Sequence, residues 1–340
     1  MKHLICTTLL GIAVFFLHAQ QHNPLINSKE IIQQAIELHD QEKYAEAIAL
    51  YKKVPLGDSS YYQALYEMGL SQMQDSQFVA ALATVGKGLR KPNDRWPEFY
   101  ALKGNLTDDM GDPEKALRIY DTAIRLYPSY TELHLNKGTT LLKLERYAEA
   151  EAVFKQGLLI NPYQTSSHYK LGYAAYNQGK ILQSFLSFTY YLLIQPNGRY
   201  KGLSIGYLST IGKAGDDVKE LIRNRTEEPG DNFSTVEKIV LSKIALDKKY
   251  EPLLKLDDPI SRQMQVVFEK LEYDETDSDF WMQYYVPFFK QIFEDKQFEP
   301  FVYRLFNTVD IEVIKEYVKK KEKLLQEVVD RTIAYCNQIR

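Results

Sequence analysis

One serine stands in a pattern that enzymes use for nucleophilic catalysis. The segment Gly202-Leu203-Ser204-Ile205-Gly206 matches G-x-S-x-G, in which a strained turn between a strand and a helix exposes the serine hydroxyl. The mechanism also needs an acid and then a histidine later in the chain, but His168 is the last histidine. Because the flanking residues have a helical pattern, we predict a structural serine. A serine hydrolase acting through Ser204 is kept as an alternative.

The residue types that bind metal ions are scattered along the chain. None of the six histidines forms an H-E-x-x-H pair or another clustered ligand spacing. The acidic segment of residues 274–279 lacks the central glycine and the distal glutamate of a calcium loop, so a solvated linker is favoured. The sequence therefore predicts no catalytic residue, no metal site and no cofactor.

Tyrosine is the residue type that points most clearly to binding, and the chain contains 25 tyrosines. Tyr169, Tyr173 and Tyr176 are three or four positions apart, which places them on one face of a helix. Tyr200 and Tyr207 form a similar stripe one period later. Tyrosine offers a large contact area with a polar tip, which suits a peptide, a helix or a glycan. Internal packing would use the same spacing, so both interpretations remain open.

Regularly spaced glycines, called the glycine ladder below, indicate the helices that would position these tyrosines. Gly69, Gly104, Gly138, Gly172 and Gly206 recur at spacings of 35, 34, 34 and 34 residues. A small residue lies twelve positions after each of the first four glycines, and in most repeats a large apolar residue lies sixteen positions after the glycine. We expect the small residues to let two helices approach closely, and the large residue to fill the gap to the next helical hairpin. A period near 34 is typical of a stacked two-helix repeat.

The pattern resembles the tetratricopeptide repeat family, most clearly in Gly104-Ala116-Tyr120-Ala123-Pro128 and Gly138-Ala150-Phe154-Pro162. The resemblance covers residues 27–225. It implies an all-α fold, a right-handed α-solenoid of about five to six helical hairpins, followed by a C-terminal helical domain over residues 231–340. That last domain resembles no family that we recognise.

In this family, the residues six and three before the glycine and one and four after it line the concave groove of the array. The resemblance therefore implies a groove that binds another protein or a peptide. The residues predicted to form it are Tyr66, Asn105, Asp108, Tyr169, Tyr173, Tyr176, Tyr200 and Tyr207. A peptide or a glycan held by the tyrosines alone is the alternative ligand.

The N-terminal residues predict export. Residues 1–19 combine Lys2, an apolar run and a small residue, Ala19, as a cleaved signal peptide does, and the run is too short to span a bilayer. The segment His18-Ala19-Gln20-Gln21 resembles signal ends of Bacteroidetes-type bacteria. We therefore expect a protein of the Gram-negative periplasm or cell envelope. We expect it to lack a transmembrane segment, and peripheral association with the envelope stays open. The mature chain would keep one thiol, Cys336, which we expect to be structural.

The overall charge excludes one class of partner. A net charge of −3, without a basic stripe, gives no electrostatic footprint for nucleic acid.

The aromatic segment of residues 280–289 could contact a membrane or a partner, but Trp281, Tyr284, Phe288 and Ile292 share one face, so a buried helix kinked at Pro287 is favoured. We expect an exported, non-catalytic interaction scaffold.

Overall fold

All of the regular secondary structure in the described part of the chain is helical. The structure is a computed structural model that describes residues 27–226 and 230–339. Within these ranges it contains nineteen α-helices and one short 3-10 helix, and no strand. This confirms the predicted all-α class. The predicted signal peptide, residues 1–19, lies outside the described residues.

The described residues divide into two compact units between Thr84 and Val85. Helices α1 to α3 belong to the first unit, and α4 crosses the division. Their bounds are α1 Ser28–Asp40, α2 Tyr44–Tyr51, α3 Tyr61–Gln74 and α4 Phe78–Gly88.

The second unit begins with eight helices. They are α5 Trp96–Asp109, α6 Pro113–Leu126, α7 Thr131–Lys143, α8 Tyr147–Ile160, α9 Thr165–Asn177, α10 Ile181–Ile194, α11 Lys201–Lys213 and α12 Asp216–Arg223. Consecutive helices pack in pairs from α5 to α10, and α11 packs on α10. Proline at positions 128, 162 and 196 follows α6, α8 and α10 by two residues, as expected of a residue that cannot continue a helix.

A left-handed residue turns the chain inside each of the first five hairpins. At the turn between α7 and α8, Glu145 has a φ of 57° and the Arg146 N–H donates to the Leu141 carbonyl across six residues. This bond closes a Schellman motif, which satisfies a carbonyl that the helix end leaves free. The left-handed residues are Glu42, Ser76, Gly111, Glu145 and Gly179.

The repeated glycines contact the repeated aromatic rings within their own hairpins. A β-carbon added to Gly138 would lie 2.4 Å from the Phe154 ring, so only glycine fits there. The Phe188 ring also stacks on Tyr207 of α11, so in that repeat the ring fills the gap to the next hairpin as expected. The last glycine of the ladder lacks this contact. A β-carbon added to Gly206 would have no atom within 4 Å. The three close pairs are Gly104 with Tyr120, Gly138 with Phe154 and Gly172 with Phe188.

Seven further helices and the 3-10 helix follow in the second unit. They are α13 Asp231–Leu241, the 3-10 helix Ile244–Leu246, α14 Pro259–Lys270, α15 Phe280–Tyr284, α16 Val286–Glu294, α17 Phe298–Leu305, α18 Glu312–Lys320 and α19 Glu322–Gln338. The aromatic segment is interrupted at Tyr285, and Pro287 lies in the first turn of α16, where a missing N–H costs nothing. The predicted shared face is buried, because Trp281, Tyr284, Phe288 and Ile292 are each at most 3% exposed. The predicted burial is confirmed, but two helices separated at Tyr285 replace the single helix that was predicted to kink at Pro287.

Helix α10 is enclosed by the array and by the C-terminal helices. It carries no charged residue, and every residue from Ile181 to Leu193 is buried. On the array side it packs on α9 and α11, and it also contacts α13, α17 and α19. The predicted boundary between an array ending at 225 and a domain starting at 231 stays a prediction, but residues from both sides share one core.

Buried polar contacts fix the C-terminal helices to the array. The His168 Nε2 atom donates to the Pro162 carbonyl at 2.9 Å, so its Nδ1 atom accepts from the Tyr285 hydroxyl at 2.6 Å. The Trp281 indole N–H donates to Glu151 at 3.0 Å. Cys336 is fully buried and lies 3.1 Å from the Tyr190 hydroxyl, which confirms a structural role for this thiol.

Candidate partner-binding surface

Five predicted tyrosines come together in the second unit. We call Tyr169, Tyr173, Tyr176, Tyr200 and Tyr207 the tyrosine surface. The rings of Tyr169 and Tyr200 are stacked, with centroids 4.0 Å apart and an interplanar angle of 5°. Tyr207 lies 4.8 Å from Tyr176 and 6.0 Å from Tyr173, in tilted and edge-on arrangements. The tyrosines of α9 therefore contact those at and after the start of α11 in two groups, and the Phe188 ring of α10 contacts both groups.

Helix α10 supports these rings from beneath. The Phe188 ring stacks on Tyr207 with centroids 4.9 Å apart, and Tyr169 lies 5.6 Å from the same ring. The Tyr191 hydroxyl accepts a hydrogen bond from the Tyr200 N–H at 3.0 Å. Because a fixed ring loses little conformational entropy when a ligand binds, this support preorganises the surface.

The C-terminal helices contact a different face of α10. Tyr190 lies two residues after Phe188, which is about 200° around the helix, and its ring contacts Tyr285 and Phe288. Tyr173, Tyr176, Tyr200 and Tyr207 consequently remain half-buried. Tyr169 is the exception, because only 8% of it is exposed.

Burial keeps the phenol groups neutral. It raises the pKa of Tyr169, Tyr176 and Tyr207 above the usual value, and neighbouring tyrosines add to the effect at Tyr169 and Tyr207. A neutral phenol both donates and accepts hydrogen bonds. The tyrosine surface thus combines apolar rings with hydroxyl groups that can bond to a peptide backbone or a sugar.

The remaining predicted groove residues have other surroundings. Asn105 accepts a hydrogen bond from the Tyr120 hydroxyl at 2.6 Å. Asp108 accepts from Thr140 at 3.1 Å and pairs with Lys143 at 2.7 Å. These side chains link α5 to α6 and α7, and their predicted contact with a partner stays a prediction. Tyr66 belongs to the first unit and is half-buried.

One residue at the tyrosine surface was absent from the sequence-based prediction. The Arg199 guanidinium lies 4.5 Å from the centroid of the Tyr200 ring, in a cation–π arrangement. Arg199 lies in the turn before α11, outside the stripe that the glycine ladder defines. Arginine and tyrosine are often neighbours in turns, so the sequence alone does not identify this pair as part of a binding surface.

Ser204 is placed unlike a catalytic nucleophile. It lies inside α11 rather than on a turn after a strand, and it is fully buried. Its hydroxyl has no hydrogen-bond partner among the described residues. A substrate carbonyl therefore cannot approach it in this fold.

The acidic segment uses its carboxylates for turns and helix capping. Asp274 accepts from the Thr276 N–H at 2.8 Å, and Asp279 caps α15 by accepting from the N–H groups of Trp281 and Met282. In the described ranges, no group of three or more His, Cys, Asp or Glu side chains is arranged to hold a metal ion. Within the same ranges, no helix combines the length and apolar character needed to cross a membrane.

Comparison with known proteins agrees with the hairpin geometry. Residues 109–174, which cover most of α6 to α9, match the sequence model described as tetratricopeptide repeat. This part of the chain belongs to the tetratricopeptide repeat family. An uncharacterised protein of Methanocaldococcus jannaschii is similar, with 38% identity over 77 residues, which are 23% of this chain and 90% of that protein.

Two solved tetratricopeptide repeat structures resemble this chain. One, from Thermus thermophilus, is 19% identical, covers 53% of this chain and 98% of its own, and has a TM-score of 0.45. The other, from Parabacteroides merdae, is 19% identical, covers 73% of this chain and 94% of its own, and has a TM-score of 0.41. Tetratricopeptide repeat proteins bind other proteins or peptides and are generally non-catalytic, and the fold of this chain suggests an interaction scaffold.

Proposed function

We propose that this chain is an exported, non-catalytic scaffold that binds another protein or a peptide at its tyrosine surface. The observation that carries the proposal is the set of five tyrosine rings at α9 and α11, four of them half-buried, which the Phe188 ring joins and holds in place. Surfaces rich in preorganised tyrosine are typical of binding sites, because large rings gain contact area at a low entropic cost. Export to the periplasm or envelope rests on the sequence of residues 1–19.

Leu203 extends the apolar area of this surface. It lies on α11 between Tyr200 and Tyr207, one helical turn from each, and is 54% exposed. Leu159 is a matched residue elsewhere in the second unit, because it lies on α8 and is 53% exposed. The two leucines allow the tyrosine surface to be tested against a site of equal accessibility.

The test is photo-crosslinking in cells of the native organism. A photoreactive amino acid replaces Leu203 in one strain and Leu159 in another, and the products are identified in fractionated cells. We expect a discrete crosslinked protein in the envelope or periplasmic fraction from position 203 only, which Tyr207→Ala removes. Equal products from both positions, or none from position 203, would contradict the proposal. Glycan binding that Tyr207→Ala abolishes would favour a carbohydrate ligand instead.

A further inference from the structure

The segment that joins α13 to α14 carries an excess of positive charge. Residues 242–256, which we call the lysine loop, contain four lysines and two carboxylates, whereas the whole chain has a net charge of −3. The four lysines are Lys243, Lys248, Lys249 and Lys255, and all are exposed. None of them forms an ion pair in the described parts of the chain, and Asp257, the first carboxylate after the loop, pairs instead with Arg262.

Helix α14 holds the inner side of the lysine loop. The Arg262 guanidinium donates to the Ala245 carbonyl at 2.9 Å, and the Gln265 side-chain oxygen accepts from the Leu253 N–H at 2.8 Å. Ala245 and Leu254 are buried in the core. Because these contacts fix the backbone of the loop, the residues on its outer side cannot turn inward without breaking them.

Two large apolar side chains lie on this outer side. Ile244 is 56% exposed and Leu253 is 61% exposed, although each is next to a buried residue. A single exposed leucine needs no explanation, but here two such side chains and four unpaired lysines share one short loop. This combination is typical of a surface that meets a bilayer, where apolar tips enter the acyl region and amines reach the headgroups.

The charges beside Leu253 that lie outside the loop are balanced. Leu253 also lines an open cavity, whose charged residues are Glu269, Lys290, Glu294, Lys296 and Glu299. Lys290 pairs with Glu294 at 3.7 Å. Glu269 pairs with Lys270 at 2.7 Å, which leaves one lysine and one glutamate of opposite charge. The excess of positive charge therefore belongs to the lysine loop.

We propose that the lysine loop binds the surface of a bilayer that contains anionic phospholipid. Its amines contact the headgroup phosphates, while Ile244 and Leu253 insert among the acyl chains. Charge complementarity selects an anionic surface, because each unpaired lysine adds to the attraction. Separate apolar tips insert into a bilayer without a shaped counterpart, whereas a protein partner would need one to cover them. The inference goes beyond the proposed function and uses no residue of the tyrosine surface.

The test is co-sedimentation of the mature chain, which lacks the predicted signal peptide, with sucrose-loaded vesicles. One vesicle type is phosphatidylcholine alone, and the other contains about one third phosphatidylglycerol. We expect the partition into the anionic vesicles to be stronger by about tenfold or more, and to weaken as salt is raised. Equal partition into both vesicle types, or no binding to the anionic type at millimolar lipid, would overturn the proposal.

A pair of double variants locates the attraction. Lys248→Gln combined with Lys249→Gln should weaken binding to the anionic vesicles by about tenfold. Lys319→Gln combined with Lys323→Gln, which removes two exposed lysines of α18 and α19, should change it by less than about twofold. Circular dichroism checks that each variant is folded. Equal weakening by the two double variants would assign the attraction to net charge and would overturn the loop as the site.

A fluorescent label tests the apolar contact. Cys336 is buried, so a cysteine at an exposed position of the mature chain can be labelled selectively with a nitrobenzoxadiazole dye. On anionic vesicles, the dye at Leu253→Cys should gain intensity and shift to shorter wavelength. The dye at Leu126→Cys, which replaces a residue of α6 that is 55% exposed, should not. A vesicle-bound protein without the shift at position 253 would contradict the insertion.

An acidic protein is the other class of partner that the lysines could bind. If soluble polyglutamate binds in a manner that the Lys248 and Lys249 substitutions weaken, and anionic vesicles do not bind, the lipid proposal fails. Tyr207→Ala should leave vesicle binding unchanged, because Tyr207 lies outside the loop. Failure of this inference and failure of the tyrosine surface are therefore distinguishable.

Discussion

The Phe154 ring occupies the space that a β-carbon on Gly138 would need, at 2.4 Å from the ideal position of that atom. The same sequence ladder includes Gly206, where nothing lies within 4 Å of such an atom. Two glycines with the same place in the repeat therefore differ in their tertiary surroundings. The difference gives a direct test of the hairpin geometry.

Gly138→Ala should lower the free energy of unfolding by about 1–3 kcal/mol, because the ring has to shift. Gly206→Ala should raise it by up to about 1 kcal/mol, since alanine favours the helix and meets open space. Urea unfolding followed by circular dichroism measures both. Equal effects of the two substitutions would contradict the close contact between Gly138 and Phe154.

Glu145→Gly should stabilise the protein. Glu145 is exposed and adopts a φ of 57°, which costs a residue with a β-carbon about 1 kcal/mol and costs glycine little. The matched control is Gly111→Ala, at a φ of 87° with nothing within 4 Å, which should destabilise by a similar amount. Thermal unfolding of both variants checks the sign. If Glu145→Gly destabilises the protein, the Glu145 side chain makes a contact that contributes more stability than the relief of backbone strain.

Glu151→Gln should destabilise the protein by about 3 kcal/mol, since Lys155 and Lys180 would remain near a neutral group in a buried site. Burial alone would raise the pKa of Glu151, but the charges of Lys155 and Lys180 outweigh it and lower the pKa. The carboxylate therefore contributes stability above its unfolded pKa of about 4.3, and that contribution is lost as the pH falls through the lower folded value.

Stability measured at several pH values tests this contribution. The difference between the wild type and Glu151→Gln should be full at neutral pH and should shrink below about pH 4. Glu149→Gln, which alters an exposed pair with Arg146, should cost less than about 0.5 kcal/mol at any pH. A difference between wild type and Glu151→Gln that is constant with pH would mean that the charge of Glu151 is not what stabilises the contact.

His168 should make the protein less stable in mild acid. Burial lowers the pKa of its imidazole to about 4. Since an unfolded histidine titrates near 6.5, the unfolded state binds the proton first. This contribution to stability is complete above about pH 6.5 and is lost progressively as the pH falls towards the folded value, at up to about 1.4 kcal/mol per pH unit.

The imidazole titration can be followed directly in the folded protein. The NMR resonances of His168 should not shift between pH 7 and pH 5, and His168→Gln should reduce the slope of stability against pH in that range. Titration of His168 near pH 6.5 in the folded state would contradict its burial against Tyr285 and Pro162.

Ser204→Ala should leave the fold intact and raise stability slightly. The hydroxyl of Ser204 is buried and lacks a partner in the described structure, so its removal relieves a desolvation cost of about 1 kcal/mol or more. Thermal unfolding measures the change, and an esterase assay accompanies it. A hydrolytic activity of the wild type that is absent from Ser204→Ala would reverse the structural interpretation of this serine.

The sequence predicted the shared face of the tyrosines on α9, but it did not predict which residues of other elements contact them. Their shared face followed from the spacing of Tyr169, Tyr173 and Tyr176, because helical periodicity relates residues that are close in the chain. The stacking of Tyr169 on Tyr200, and the position of Arg199 over that ring, required the relative placement of α9 and α11. Periodicity does not encode that placement.

The repeat period and the proline stops determined by themselves that this chain forms tetratricopeptide-like hairpins, because each depends on contacts within about 34 residues. Only the tertiary structure decided which glycines contact an aromatic ring. It also decided that the C-terminal helices cover the second face of α10. The bond between His168 and Tyr285 joins residues 117 positions apart, and such a contact leaves no period in the sequence. The tyrosine surface became distinct from the core only when the C-terminal helices took the other face of α10.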